Sequence, residues 1–188
     1  MTKYMRMFFH KYRLPLCIIA GLLILGGVWW FASQTFQRNQ NKDEINSFEE
    51  CVESGNPVME SYPPQCRIED RQSFTQDIGN ELELSDEVVI ENPRPNQTIV
   101  SPLIVKGRAR GTFYFEGSFP IRLVDERGNE LAESYVESQG EWMTEDFVPF
   151  IGELEFQTDA TSGTLYFEKA NPSGLPENEQ VLEVPIQF

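Results

Sequence analysis

Four side chains in this sequence are suited to nucleophilic or metal chemistry: His10, Cys17, Cys51 and Cys66. A Ser-His-Asp or Cys-His centre needs an imidazole beside its nucleophile, and a structural zinc site needs three or four ligands. His10 is the single histidine and precedes a long apolar run, while Cys51 and Cys66 stand fifteen residues apart with no histidine after them. That set falls short of a hydrolase centre or a metal site, and neither metal nor cofactor is expected. Among thirty Asp and Glu residues some close carboxylate pair is almost inevitable, so a glycosidase reading gains nothing from finding one. Asp125-Glu126-Arg127-Gly128-Asn129-Glu130 is rich in oxygen ligands but lacks the EF-hand spacing, and the alternation around it reads as a hairpin turn. Asn96-Gln97-Thr98 is a formal glycosylation sequon, relevant only to a eukaryotic secretory route. The expectation is a protein that is not an enzyme.

Charge is the remaining signal. The formal net charge is −15, which argues against nucleic acid as a partner, since a polyanion rewards clustered Lys and Arg. Residues 1 to 32 carry Lys3, Arg6, Lys11 and Arg13 and no acid, so all thirty acids and the other eleven basic residues lie beyond and give that part a charge of −19. Within it Lys106, Arg108 and Arg110 alternate with Leu103, Val105, Gly107 and Ala109, which projects three positive charges from one side of a strand. Two readings stand side by side. The cations pair with acids on adjacent strands, at about 0.2 to 1 kcal/mol each, or they form a docking stripe for an anionic envelope polymer on an otherwise repelling body.

The elements that must carry these residues follow from hydropathy. The basic tail 1–13 precedes LPLCIIAGLLILGGVWWFA at 14–32, nineteen residues without a charge. A helix of that length is about 28 Å long, the thickness of a bilayer's hydrocarbon core. The basic flank predicts a cytoplasmic amino terminus, and Trp29, Trp30 and Phe31 suit the far headgroup boundary. A cleaved signal peptide is the competing reading, but its apolar stretch would be shorter and followed by small residues. Cys17 reads as a membrane-buried side chain, because Pro15 and Leu16 do not fit a lipobox. The expected location is therefore the cell membrane, single-pass, with the carboxy-terminal part extracytoplasmic.

Residues 33–46 are polar and read as a tether. Residues 47–78 hold Cys51 and Cys66 around Gly55, Pro57, Pro63 and Pro64, a segment too short for a core of its own. In an oxidising compartment the two cysteines are expected to pair, closing a loop worth about 3 kcal/mol in the chain-entropy model. Free thiols are the alternative. After a linker at 79–86, residues 87–188 show turn signals at short intervals with period-two alternation between them. Phe119, Ile121 and Leu123 share a face, as do Val148, Phe150, Gly152, Leu154 and Phe156, Leu165 with Phe167, and Leu182, Val184, Ile186 with Phe188. With no ten-residue helical stretch, the fold class is all-β, an antiparallel two-sheet sandwich of immunoglobulin-like kind, with a small barrel as runner-up. Trp142 is expected to fill the core.

The blocks ENPRPNQTIVSPLIVKGRARGTF (91–113), FYFEGSFPIRLVDERGNEL (113–131), WMTEDFVPF (142–150) and GTLYFEKANPSGLPEN (163–178) occur in an order that resembles the immunoglobulin-like domain of bacterial spore-germination proteins. The resemblance implies a bacterial source and a sandwich fold. Such domains also occur in envelope proteins of bacteria that form no spores, and no catalytic or ligand residues transfer with the likeness. Residues 47–78 resemble a short two-cysteine module seen upstream of such domains. Together these features suggest a membrane-anchored, extracytoplasmic binding or scaffolding module of the cell envelope, related to germination or envelope assembly, with the bilayer through 14–32 and an envelope protein or cell-wall polymer as partners. The alternative is a structural spacer or self-assembling subunit without a ligand of its own.

Overall fold

The computed structural model describes residues 45–68 and 72–188. His10, Cys17, the apolar run 14–32 and most of the tether lie outside the described residues, and no helix among those described is long and apolar enough to cross a membrane. The chain divides between Ser54 and Gly55 into two units. In the first, a six-residue helix α1 (Phe48–Glu53) starts at Ser47, whose hydroxyl accepts the Glu50 N–H at 3.1 Å. The Glu50 carboxylate in turn accepts the Asn46 N–H at 2.7 Å, so two of the otherwise orphaned donors are satisfied. Cys51 is the buried residue of α1. It and Cys66 are disulfide-bonded.

The second unit opens with a three-stranded antiparallel sheet the sequence reading did not foresee: β1 (Val58–Met59), β2 (Gln65–Arg67) and β3 (Ser73–Thr75), in that order. The strands are only two or three residues long and alternate weakly, and Cys66 is the one side chain they bury fully. Seven longer strands follow: β4 (Val88–Asn92), β5 (Leu103–Arg110), β6 (Ser118–Asp125), β7 (Glu130–Ser138), β8 (Phe147–Leu154), β9 (Ser162–Glu168) and β10 (Val181–Gln187). All named pairings are antiparallel, in the order β10-β9-β6-β7-β8-β5-β4.

Two separate sheets were expected, and here the architecture differs. The layer β10-β9-β6-β7 is hydrogen-bonded to the layer β8-β5-β4 through three residue pairs, Val136 with Gly152, Glu137 with Ile151 and Ser138 with Phe150. The sandwich is one continuous sheet folded over its own core. The long β7 belongs to both layers because only its last residues turn toward β8. The inward row is the one that period-two alternation predicts: Leu103, Val105, Gly107 and Ala109 from β5, Phe119, Ile121 and Leu123 from β6, Val148, Phe150 and Leu154 from β8, Leu165 and Phe167 from β9, and Leu182, Val184 and Ile186 from β10 are all buried. At its centre Phe119 meets Phe113 and Phe150 edge-to-face at 5.0 and 5.1 Å between centroids, arrangements that add about 0.5 to 1.5 kcal/mol beyond area burial. Burial pushes the Tyr114 phenol pKa upward, and the neutral hydroxyl donates to the Val148 carbonyl at 2.7 Å. Trp142 is half-buried and packs against this core, in line with expectation.

The hexad around Asp125 is a β6–β7 hairpin turn, as the flanking alternation implied. Gly128 takes a φ of 83°, and the Asp125 carboxylate accepts from the Arg127 and Asn129 N–H groups and the Asn129 amide, at 2.8 to 2.9 Å. The Asn129 side chain is the main reason its carboxyl titrates below the usual range.

A candidate binding face with sealed edges

An open sheet offers a partner two kinds of surface, its edges and its faces. Both edges of the seven-stranded sheet are occupied from within. Along β10, the Asn80 amide donates to the Val181 carbonyl at 2.9 Å and accepts the Glu183 N–H at 2.8 Å. Farther along, Asn96 N–H donates to the Pro185 carbonyl, Ile99 N–H to the Gln187 carbonyl, and Gln187 N–H to the Gln97 carbonyl. Residues 79–86, read as a linker, begin this seal: Gly79 lies so close to β10 that a Cβ on it would overlap the Glu183 carbonyl.

The opposite edge is β4. Val88 N–H donates to the Leu84 carbonyl at 2.9 Å, and Arg94 covers the Ile90 carbonyl at 2.5 Å. Arg94 is held there by a fork on Glu81, which is 6% exposed: Nη1 reaches Oε1 at 2.5 Å and Nη2 reaches Oε2 at 3.1 Å. Tyr62, from the turn between β1 and β2, donates its hydroxyl to Glu81 Oε2 and receives Arg94 Nη2 at 2.7 Å. Burial first, and then the Glu81 carboxylate, push the Tyr62 phenol up to about 12. This cluster escaped the sequence reading, because its members lie up to 32 residues apart and none belongs to a periodic run.

The faces are different. On the outer side of β10-β9-β6-β7 the arginine is neutralised: Arg122 meets Glu168 at 2.7 Å and Glu130 at 3.9 Å and lies over the Tyr166 ring. On the outer side of β4-β5-β8 the three cations of the sequence stripe do stand together, with unequal duties. Arg110 is structural: Nε donates to the Asp86 carbonyl at 2.9 Å, Nη1 to the Glu145 carbonyl at 3.2 Å, and the guanidinium lies 4.2 Å from the Phe147 ring centre. Arg108 makes one long, exposed ion pair to Glu91 at 3.4 Å, the kind worth about 0 to 1 kcal/mol, and its guanidinium lies 5.6 Å from the Phe147 ring centre. Lys106 is exposed and makes no ion pair with any described residue. The cross-strand ion pairing thus holds weakly for Arg108 alone; Arg110 is tied to backbone carbonyls and the Phe147 ring in place of a carboxylate, and Lys106 is left available.

Register sets apolar side chains beside these cations. Arg110 lies opposite Phe147, Arg108 opposite Pro149, Lys106 opposite Ile151 and Ile104 opposite Glu153. Ile104 and Ile151 are each 38% exposed. The apolar row on β8 is the complement of the inward row Val148, Phe150 and Leu154, and the same alternation carried the signal for it. Packing underneath is close: Gly107 leaves room for the Phe150 ring, whose Cζ would lie 2.6 Å from a Cβ at that position. No group of three or more His, Cys, Asp or Glu able to hold a metal ion occurs among the described residues.

Comparison with curated proteins and with solved structures finds no match. The family model described as the immunoglobulin-like domain of bacterial spore germination matches residues 87–174, which span β4 to β9 and hold the whole cationic face. β10 lies beyond that match yet contributes Leu182, Val184 and Ile186 to the same core. Residues 87–174 are therefore similar to the immunoglobulin-like domain of bacterial spore germination.

Proposed function

We propose that this chain is a membrane-anchored, extracytoplasmic binding or scaffolding module of the bacterial cell envelope that works through the outer face of β4-β5-β8 and carries out no catalysis. One observation carries the reading: the β10 edge and part of the β4 edge are bonded by the chain's own polar groups, while one face keeps Lys106, Arg108, Ile104 and Ile151 exposed side by side. A self-assembling spacer built on edge-to-edge strand pairing would leave an edge open. The uncharged run 14–32 behind a basic tail supports the anchor and its orientation, and the disulfide between Cys51 and Cys66 supports an oxidising compartment. The family's description adds germination as one setting.

Topology and use of the face are tested in the same cells. Asn39→Cys in a Cys17→Ser background should react with a membrane-impermeant maleimide before lysis, and a photocrosslinking residue in place of Lys106 should capture an envelope component. Labelling only after lysis, or no capture from position 106, would overturn the proposal.

A further inference from the structure

The geometry points to a specific kind of occupant: an acidic, apolar-studded segment of a partner protein, in preference to a repeating polyanion such as a wall polymer. This deepens the binding reading above and rests on it. A polyanion is held by net positive field, summed over many weak contacts. The face has none to offer, because Lys106, Arg108 and Arg110 are matched there by Glu91, Glu137 and Glu153. Glu91 touches Arg108, Glu137 lies opposite Ile151 and Glu153 lies opposite Ile104. Arg110 also spends two of its donors on backbone carbonyls. Every anion of a long polymer beyond the first two would meet a carboxylate or the −19 body behind it.

A discrete segment fits better. Lys106 and Arg108 lie two residues apart on one strand, a pitch of about 7 Å, which is also the pitch of same-side residues in an extended chain. Two carboxylates at that spacing match Lys106, which has no ion pair among the described residues, and Arg108, whose ion pair to Glu91 is long and exposed. Apolar side chains at the next same-side positions, two residues before or after the carboxylates, fall beside Ile104 on β5 and the neighbouring Ile151 on β8. Only a ligand that supplies both charges and apolar surface uses everything the face presents, and burying Ile104 and Ile151 would remove water from around the ion pairs and strengthen them. The acids that border the patch reject strands of uniform negative charge, which gives the face its selectivity.

The test uses the full chain in detergent micelles and three fluorescent probes: an octapeptide with Leu, Glu, Glu and Phe at alternate positions and Ser between them, octaglutamate, and polyglycerol phosphate. The octapeptide should bind most tightly. Its affinity should fall at least about tenfold for Lys106→Gln with Arg108→Gln, as expected when charged partners at a partly desolvated contact are removed, and about fivefold for Ile151→Ser through lost apolar contact. The mutated side chains are exposed, so unchanged melting temperatures certify that each variant is folded. If octaglutamate or polyglycerol phosphate binds as tightly as the octapeptide and Ile151→Ser changes nothing, the face reads charge alone and the inference falls. Failure of all three probes also overturns it. Capture from position 106 in cells, despite such failure, would leave the broader binding reading standing; loss of both would remove the two together.

Discussion

Asn80 alone holds the outer side of β10 between Val181 and Glu183, so Asn80→Ala isolates the value of a sealed edge. Two hydrogen bonds are lost, each with a net worth of about 1 kcal/mol, and the half-buried Val181 and exposed Glu183 let water replace part of them. A loss of about 1 to 2 kcal/mol follows, which for a unit of this size lowers the melting temperature by about 4 to 8 °C. Gly79→Ala should cost more. Its φ of 68° disfavours any side chain, and a Cβ there overlaps the Glu183 carbonyl, forcing residues 79 and 80 away from the strand. Both variants free backbone donors and acceptors on β10, so both should self-associate with rising concentration in sedimentation velocity runs where the parent chain does not. Thermal unfolding followed by circular dichroism gives the stability arm. Melting temperatures within 1 °C of the parent for both variants, with no change in sedimentation, would refute the view that this segment closes the sheet.

Other outcomes follow from the same contacts. Tyr62→Phe removes a donor to Glu81 and an acceptor for Arg94 and should lower stability at pH 8 by about 1 kcal/mol. Because the folded-state phenol is raised from 10 to about 12, the neutral form's contribution is complete below pH 10 and disappears as pH climbs through 12, so parent and variant melting curves should converge there. Asp125→Asn tests the opposite sign: a carboxyl depressed below 3.8 stabilises above that value and loses its contribution as pH falls through the folded pKa, so the stability gap between parent and variant should be present at pH 6 and shrink in strong acid. Reduction of the Cys51–Cys66 bond should make residues 47–78 protease-sensitive before the seven-stranded sheet, since packing holds the latter; mass spectrometry showing two free thiols in protein from the envelope would contradict the pairing.

The parts legible in the sequence are those where one physical rule acts alone. Strands β5, β6, β8, β9 and β10 each bury one side of a regular pleat, so hydrophobic alternation names their inward residues. The pair Cys51 and Cys66 was readable from cysteine arithmetic and the expected compartment. β7 was harder: among Glu130 to Ser138 only Val136 is fully buried, and the ladder slips between Leu123 and Val124 as it passes the turn. The fusion of two layers into one sheet depends on three residue pairs at its end, which no local pattern encodes. Nor does any local signal announce Asn80 or the Tyr62–Glu81–Arg94 cluster, since hydrogen bonds across 13 to 103 residues leave no periodic trace. The stripe Lys106, Arg108 and Arg110 was visible as a row. Its division into a structural Arg110 and an available Lys106 required the positions of Asp86, Glu145 and Phe147, which only the fold supplies.

The most direct test of the binding face is site-specific photocrosslinking in living cells, comparing position 106 on the outer side of β5 with Tyr135, 57% exposed on β7 and away from the cationic stripe. Discrete adducts from position 106 that vanish with Arg108→Gln, and none from position 135, are the expected result. Equal capture from both positions, or from neither, would contradict a binding role for this face.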